Sequence, residues 1–358
     1  FWPSPKVSIK NSWNVRFDFS TGEEGDRMPE LPEVESVVRG LNKVLAEGET
    51  PEVVRRALAF RKDLRFVIPP KLLKVLPGSA CLSVQRRAKY ILFNFLSPKH
   101  WELVNSVLLH SDGESNVHSG IGSAANASAM ATFQMISHLG MTGAWRIEKQ
   151  KGWEKRLHDH FALEFVSNRT LVYNDPRRFG YLELAERPAQ WAVNAKTEVH
   201  SGSESPSTSG LEAPSFLAMK VFPHPLLDSL GPEPLSEEFS GEYLFSRSRK
   251  RQVAIKVFIM NQKIVVGVGN IYASEALFRA RIHPAKLAKH LSLQETQRLV
   301  ASIRHILGLA IREGGSSIRD YKNVEGGSGG FQNLFQVYGR AGEPCVVCHT
   351  KIKQVALG

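Results

Sequence analysis

Hydrophobic periodicity changes twice along this chain, and that change limits the folds open to it. Apolar residues first recur at helical spacing through Val34, Val37, Val38, Leu41, Val44 and Leu45, which predicts an amphipathic helix. Pro32 and Glu33 suit its first turn. The pattern then becomes short, aromatic and β-branched in Tyr90–Leu96, Ala131–Ile136 and His160–Phe165. Several such runs between turn signals predict a β-sandwich. Helical spacing returns from Ser236 to about Arg312, with one helix expected over Ser246–Met260 and another over Leu291–Ile311. Between the two regimes, His224–Leu235 is punctuated by prolines and reads as a linker. The class expected is α+β, with a leading helix, a sandwich and then a helical domain.

A chain of 358 residues can hold two domains, each with its own core. Lys and Arg total 46 against 35 Asp and Glu, a net charge of +11. That balance suits a polyanionic partner, although a basic protein with no nucleic-acid role has the same composition. No apolar run approaches the roughly 20 residues of a membrane helix. Residues 1–27 lack the basic-then-apolar order of a secretory signal, lack an initial Met, and carry Asp18, Glu23, Glu24 and Asp26. They read as sequence upstream of a start at Met28, absent from the mature protein. Three cysteines make a disulfide framework a poor fit and suit a reducing compartment. Residues 111–129 and 201–215 are rich in Ser, Gly and other small or polar residues and read as solvated inserts.

The octet Met28-Pro29-Glu30-Leu31-Pro32-Glu33-Val34-Glu35 carries the first chemical signal. Removal of Met28 would leave Pro29 as a secondary amine, a nucleophile able to hold a sugar carbon as an imine. Kept inside the chain, the same nitrogen is an amide. Glu30 stands beside it as a proton carrier, and Glu33 is suited to orienting the site or meeting the helical domain. Read alone, the octet is equally a proline-shaped turn with a capping glutamate. Further on, Met141, Arg177 and Phe179 supply what base extrusion needs. A linear apolar chain can fill the hole, a guanidinium can bond the orphaned base, and a ring can wedge the next step. Taken singly, Met141 is as readily a core residue and Asp175-Pro176-Arg177 a turn. His138 reads as structural. Gly267-Val268-Gly269-Asn270 opens a helical pattern and would present backbone N–H groups to an anion, with Asn270 as cap and phosphate donor.

In this order, the octet, Arg86-Arg87-Ala88-Lys89-Tyr90, His138-Leu139-Gly140-Met141-Thr142-Gly143, Asn174-Asp175-Pro176-Arg177-Arg178-Phe179-Gly180, Val266–Glu275 and Gln336–Cys345 closely resemble bacterial-type formamidopyrimidine-DNA glycosylases. The likeness runs from Met28 to Gly358, and residues 1–27 match nothing in that family. Leu31 favours this branch over the endonuclease VIII group, which opens Pro-Glu-Gly-Pro. The resemblance implies a catalytic β-sandwich over 28–222, a linker over 223–235 and a helix–two-turns–helix domain over 236–322. A lesion-recognition loop over 323–332 and an incomplete zinc-finger hairpin over 333–358 would follow.

It implies catalysis by Pro29 and Glu30, with Lys89 on the target phosphate. It implies DNA contacts from Met141, Arg177 facing the estranged cytosine, Phe179, Lys256 and Asn270. The expected reaction is excision of 8-oxoguanine and formamidopyrimidines, followed by β,δ-elimination. The expected partner is double-stranded DNA containing oxidised purines, with no membrane, for a monomer that is cytoplasmic and nucleoid-associated if bacterial. Cys345 and Cys348 form half of the family's four-cysteine zinc site. The second pair is absent up to Gly358, as is the family's following Gln-Arg pair, so the chain as it stands is expected to bind zinc weakly or not at all. No organic cofactor is expected. A non-catalytic lesion-binding protein and an endonuclease VIII-like glycosylase for oxidised pyrimidines stay open as alternatives.

Overall fold

The computed structural model describes residues 28–46, 50–110, 131–149, 152–188, 221–316 and 329–357. The extension over 1–27, both inserts and most of the 323–332 loop lie outside the described residues.

Helix α1 spans Leu31–Leu45, as its periodicity predicts, and Val34, Val37, Val38 and Leu41 face the first core. Asn42 clasps it to the sheet: its amide donates to Val84 O at 2.6 Å, and Val84 N–H donates back at 2.8 Å. The strands are β1 (Glu52–Ala59), β2 (Ala80–Arg87), β3 (Tyr90–Leu96), β4 (Phe133–His138), β5 (Ala144–Glu148), β6 (Asp159–Phe165), β7 (Thr170–Asn174) and β8 (Tyr181–Glu186). Short α2 (Pro70–Val75) precedes β2, and α3 (Pro98–His110) follows β3. The sheet order is β5-β7-β6-β1-β2-β3-β4-β8, with antiparallel pairing throughout.

Strand β1 belongs to both halves. Glu52 and Val53 pair with β2, and after an irregularity between Val54 and Arg56 the strand runs along β6. Such a bulge bends its strand and increases the twist. The sheet therefore folds back on itself. Trp145 on β5, at one end of the order, donates its indole N–H to Ser137 on β4 at 3.0 Å and meets Phe93 edge-on at 5.3 Å. Phe93, Phe161, Phe165 and Tyr173 complete one aromatic core between the two layers.

The segment expected to link the domains turns back over the sheet before leaving it. Phe222 N–H donates to the Gln134 side chain at 2.9 Å, and one helical turn, α4 (Pro225–Asp228), lays Leu227 against Leu92 and Ile136. The helical half contains α5 (Gly241–Ser248), α6 (Ile255–Met260), α7 (Asn270–Ala280) and α8 (Leu293–Arg312) around a second core that includes Phe258, Leu277, Ile303 and Leu307. Helix α8 starts where Ser292 and Glu295 form a reciprocal cap.

The single helix expected over Ser246–Met260 is instead two helices. The hydroxyls of Ser246 and Ser248 bond the carbonyls of Tyr243 and Phe245, competing with the helical ladder. Residues 251–256 then pair with 284–289: Ala288 N–H donates to Val253 O at 2.9 Å and Ile255 N–H to Lys286 O at 2.8 Å. No helix of the described residues is long and apolar enough to cross a membrane.

Candidate active site

Three sheet connections reach one end of the sandwich. Pairing places Tyr90 opposite His138 and His138 opposite Tyr181. The β2–β3 turn carrying Lys89, the loop leaving β4 through Met141 and the loop reaching β8 through Arg177 and Phe179 therefore emerge together. Their roots are a row of rings, with Tyr90 and His138 5.1 Å apart and His138 stacked on Tyr181 at 5.0 Å. Burial, with the charges of Lys89 and Arg65 adding to it, lowers the His138 pKa to about 4. Its Nδ1 accepts the Gly140 N–H at 3.0 Å. His138 is therefore a neutral structural acceptor at neutral pH.

The turn that carries Lys89 is held by the linker segment. Ala88 has φ +56°, a left-handed conformation that a non-glycine residue adopts only with support. Support comes from Glu233, whose carboxylate accepts Ala88 N–H at 2.7 Å, Arg86 at 2.7 Å and Arg87 at 2.9 Å. Arg86 also bonds Glu35 on α1 at 2.9 Å. Lys89 is 8 % exposed, and its ammonium has no hydrogen-bond or ion-pair partner among the described residues.

Pro29 and Glu30 lie at the seam between the halves. Glu30 is 4 % exposed, and its carboxylate accepts Gly269 N–H at 2.7 Å and Ile271 N–H at 3.0 Å. The glycine-rich turn at the start of α7 thus presents its N–H groups to an anion, as expected, but the anion is the protein's own glutamate. Gly269 is the N-cap, and Asn270 is the exposed first residue of the helix rather than its cap. A Cβ on Gly269 would overlap the Glu30 carboxyl group, and one on Gly267 (φ +77°) would meet the Leu31 side chain. Burial raises the Glu30 pKa from 4.5 to about 7, and Glu33 adds to the rise. Lys89 and the two backbone bonds oppose it without cancelling it.

Glu33 joins three distant segments. One oxygen accepts Glu30 N–H at 3.0 Å; the other accepts the Tyr272 hydroxyl at 2.6 Å, Ser316 N–H at 2.7 Å and the Ser316 hydroxyl at 2.8 Å. Gly330 N–H donates to Glu313 O at 2.8 Å and Phe331 N–H to Gly315 O at 3.1 Å, so the C-terminal end of the expected lesion loop is tied to residues 313–315 beside Glu33.

Met141, Arg177 and Phe179 are brought together by backbone contact. Gly140 (φ +63°) sits so close that a Cβ there would overlap the Phe179–Gly180 peptide. Buried Asp175 organises the partner loop, accepting the Thr142 hydroxyl at 2.6 Å and Gly180 N–H at 2.8 Å, while Arg177 N–H donates to Thr142 at 3.1 Å. The Arg177 guanidinium lies 4.9 Å from the centroid of the Phe179 ring, which is 42 % exposed.

Residues 28–182 match the formamidopyrimidine-DNA glycosylase N-terminal domain, and residues 230–322 match the formamidopyrimidine-DNA glycosylase H2TH domain. A formamidopyrimidine-DNA glycosylase of Bdellovibrio bacteriovorus is 40 % identical over 331 residues, covering 92 % of this chain and 96 % of that protein. The chain belongs to the formamidopyrimidine-DNA glycosylase family. The MutM (Fpg) protein of Thermus thermophilus superposes with a TM-score of 0.64 at 30 % identity, over 92 % of this chain and 94 % of that one. Lactococcus lactis Fpg in complex with DNA containing an abasic site gives 0.65 at 28 %, over 92 % and 95 %. This is a family of DNA-binding repair glycosylases and lyases.

Other expected glycosylase positions fall less simply. Lys256 is almost wholly buried in the first turn of α6, its N–H donating to Pro284 O at 3.2 Å. Cys345 and Cys348 share a tight hairpin in which Cys345 N–H donates to Thr350 O at 2.9 Å and His349 N–H to Cys345 O at 2.9 Å. Val347 N–H approaches the Cys345 sulfur at 3.4 Å, and hydrogen bonds from Thr350 hold the Cys348 thiol below its ordinary pKa. That lowering favours the thiolate, the form a metal takes. Yet among the described residues no group of three or more His, Cys, Asp or Glu could hold a metal ion, and His349 does not complete one. The residues present do not fit zinc.

Sequence reading missed Tyr272 and Ser316, which no local signal ties to Glu33. It also passed over Glu275, whose carboxylate accepts the N–H groups of Gln336, Val337 and Tyr338 at 2.8–3.0 Å. A charged residue among the buried positions of an apolar helix was the available clue.

Proposed function

We propose that the chain, processed to begin at Pro29, is a bifunctional glycosylase and lyase that removes 8-oxoguanine and formamidopyrimidines from duplex DNA. The observation that carries this is a buried carboxyl with a pKa of about 7 next to Pro29, with the Lys89 charge facing it. An α-amino group has an ordinary pKa of about 7.7–8, so a fraction of the proline nitrogen is neutral at pH 7. Its lone pair attacks C1′ of the deoxyribose; the N–C1′ bond forms, the bond to the damaged base breaks, and the base leaves with that electron pair and takes up the proton that the amine nitrogen gives up. Protonated Glu30 gives its proton to the sugar ring oxygen, the ring opens, and an iminium remains. That cation acidifies the adjacent C–H bond; the Glu30 carboxylate takes the proton, the freed electron pair expels the 3′ phosphate, and a second proton loss from the conjugated iminium expels the 5′ phosphate.

Lys89, a point charge in the β2–β3 turn, holds the target phosphate. Met141 fills the vacated stack, Phe179 wedges the neighbouring step and Arg177 bonds the estranged cytosine. Asn270, exposed at the start of α7, and Lys256 add phosphate contacts. Residues 28–222 handle the lesion and 236–322 dock the duplex. Crystallised relatives with DNA containing an abasic site or carbocyclic 8-oxo-G support the substrate class.

Borohydride reduction during turnover tests the mechanism. A chain starting at Pro29 should form a covalent adduct with duplex containing 8-oxoguanine opposite cytosine, and one retaining a residue before Pro29 should lose it by at least about 10⁴-fold. An undiminished adduct with Pro29 acylated would overturn the proline mechanism. Excision of thymine glycol in preference to 8-oxoguanine would overturn the substrate assignment.

A further inference from the structure

The loop 60–68 plays no part in the chemistry above, yet it runs beside the loop that carries Arg177 and Phe179. Arg65 N–H donates to Gly180 O at 3.1 Å, and the Phe66 ring meets Tyr181 edge-on at 5.0 Å. On the other flank, Phe60 N–H donates to His160 O at 2.9 Å, and its ring meets Trp153 at 5.9 Å. Trp153 is itself hydrogen-bonded to the Glu164 carboxylate.

One unit recurs three times along this border. Phe60, Phe66 and Phe179 are 37 %, 45 % and 42 % exposed. Each ring has a cation near its centroid: Lys155 at 5.4 Å, Arg65 at 5.7 Å and Arg177 at 4.9 Å. None of the three rings belongs to a core cluster. The surrounding charge is positive. Arg61, Lys62, Arg65, Lys155 and Arg178 stand against Asp63 and Glu154, and Asp63 is already ion-paired to Arg61 at 2.7 Å. The Lys62 ammonium has no hydrogen-bond or ion-pair partner among the described residues.

We propose that the 60–67 loop, with Trp153 and Lys155, is a basic–aromatic rim that holds the phosphate backbone of duplex DNA beyond the lesion pair. Continuity with Arg177 and Phe179 and the sign of the charge select this partner; the inference rests on the DNA-binding role of those two residues. Cations on short side-by-side loops meet successive phosphates, and the exposed rings give the sugar edges an apolar surface.

The test measures equilibrium binding of the chain starting at Pro29 to duplexes carrying a stable abasic analogue, over a salt series and at several duplex lengths. The variant Lys62→Ala/Arg65→Ala/Lys155→Ala should lower the slope of log K against log salt by about 2 to 3, at roughly 0.9 per lost phosphate contact. The difference should vanish when the duplex is too short to pass the rim, which a merely structural role would not produce. Lys62→Glu, at an exposed position whose ammonium is unpartnered, should weaken binding to long duplex without lowering Tm. An unchanged slope in a variant of wild-type Tm, or a difference independent of duplex length, would overturn the rim. Failure of the unaltered protein to bind any duplex would instead overturn the DNA-binding reading itself.

Discussion

The seam around Glu30 and the hairpin around Cys345 solve opposite problems. At the seam, the acceptors and donors lie 239 to 283 residues apart in sequence and the carboxylates are buried. In the hairpin, the partners are two to ten residues apart and Cys348 is exposed. Burial turns the same elements, a carboxyl or thiol and a few N–H groups, into a carboxyl that keeps its proton to about pH 7 at the seam; in the hairpin they form a tight turn. Long-range closure thus couples the seam to both halves of the molecule, whereas the hairpin is closed by near neighbours and meets the helical half through the packing of Cys345 and Ile352 with Phe278.

That contrast breaks most visibly at Glu33. Glu33→Ala would leave the Tyr272 hydroxyl, both Ser316 donors and Glu30 N–H without their shared acceptor. At about 1–3 kcal/mol for each stranded buried group, partly relieved by water, the loss should reach about 4 kcal/mol in chemical denaturation. A loss under about 1 kcal/mol would mean the seam is not closed in solution.

Next comes Glu30. The folded carboxyl keeps its proton to about pH 7, while the unfolded one releases it near 4.5. The folded state binds the extra proton between those values, so its advantage is full below 4.5 and disappears as pH rises through 7. Relative to Glu30→Gln, unaltered protein should lose about 3 kcal/mol of stability from pH 4.5 to 8. Single-turnover excision should show a falling limb near pH 7 that the same substitution removes. Parallel stability curves for the two proteins would refute the buried-acid assignment.

A smaller effect is expected at Arg177, whose side chain lies outside the seam. Arg177→Ala should reduce discrimination for cytosine opposite the lesion by about 1–3 kcal/mol, measured as the ratio of kcat/KM across the four opposite bases. The least effect belongs to the hairpin: Cys348→Ser should change unfolding stability by under about 0.5 kcal/mol. A larger change would place the hairpin inside the cooperative unit.

What the sequence made legible follows the same division. Helix α1, strand β3 and helix α8 were readable because their periodicity is local and their caps are close by. The family motifs made the loops of Lys89, Met141, Arg177 and Phe179 readable as candidates, and strand register brings those loops to one end. The break at 249–254 was not readable, since the partners that divide the helix are about thirty residues or more away, at 284–289. Asn270 was expected to cap its helix because nothing nearby announces that Glu30 takes the anion's place. The partners of Glu33 were hidden for the same reason.

The span from Glu33 to Ser316 also bears on how the protein is made. A ribosome exposes Glu30 long before it has produced Gly269 or Ser316, so the nascent carboxyl stays hydrated and ionised, without the donors that later enclose it. Only a nearly finished polypeptide can enclose the Glu30 carboxyl, and a fragment cut between the two halves would leave it in water.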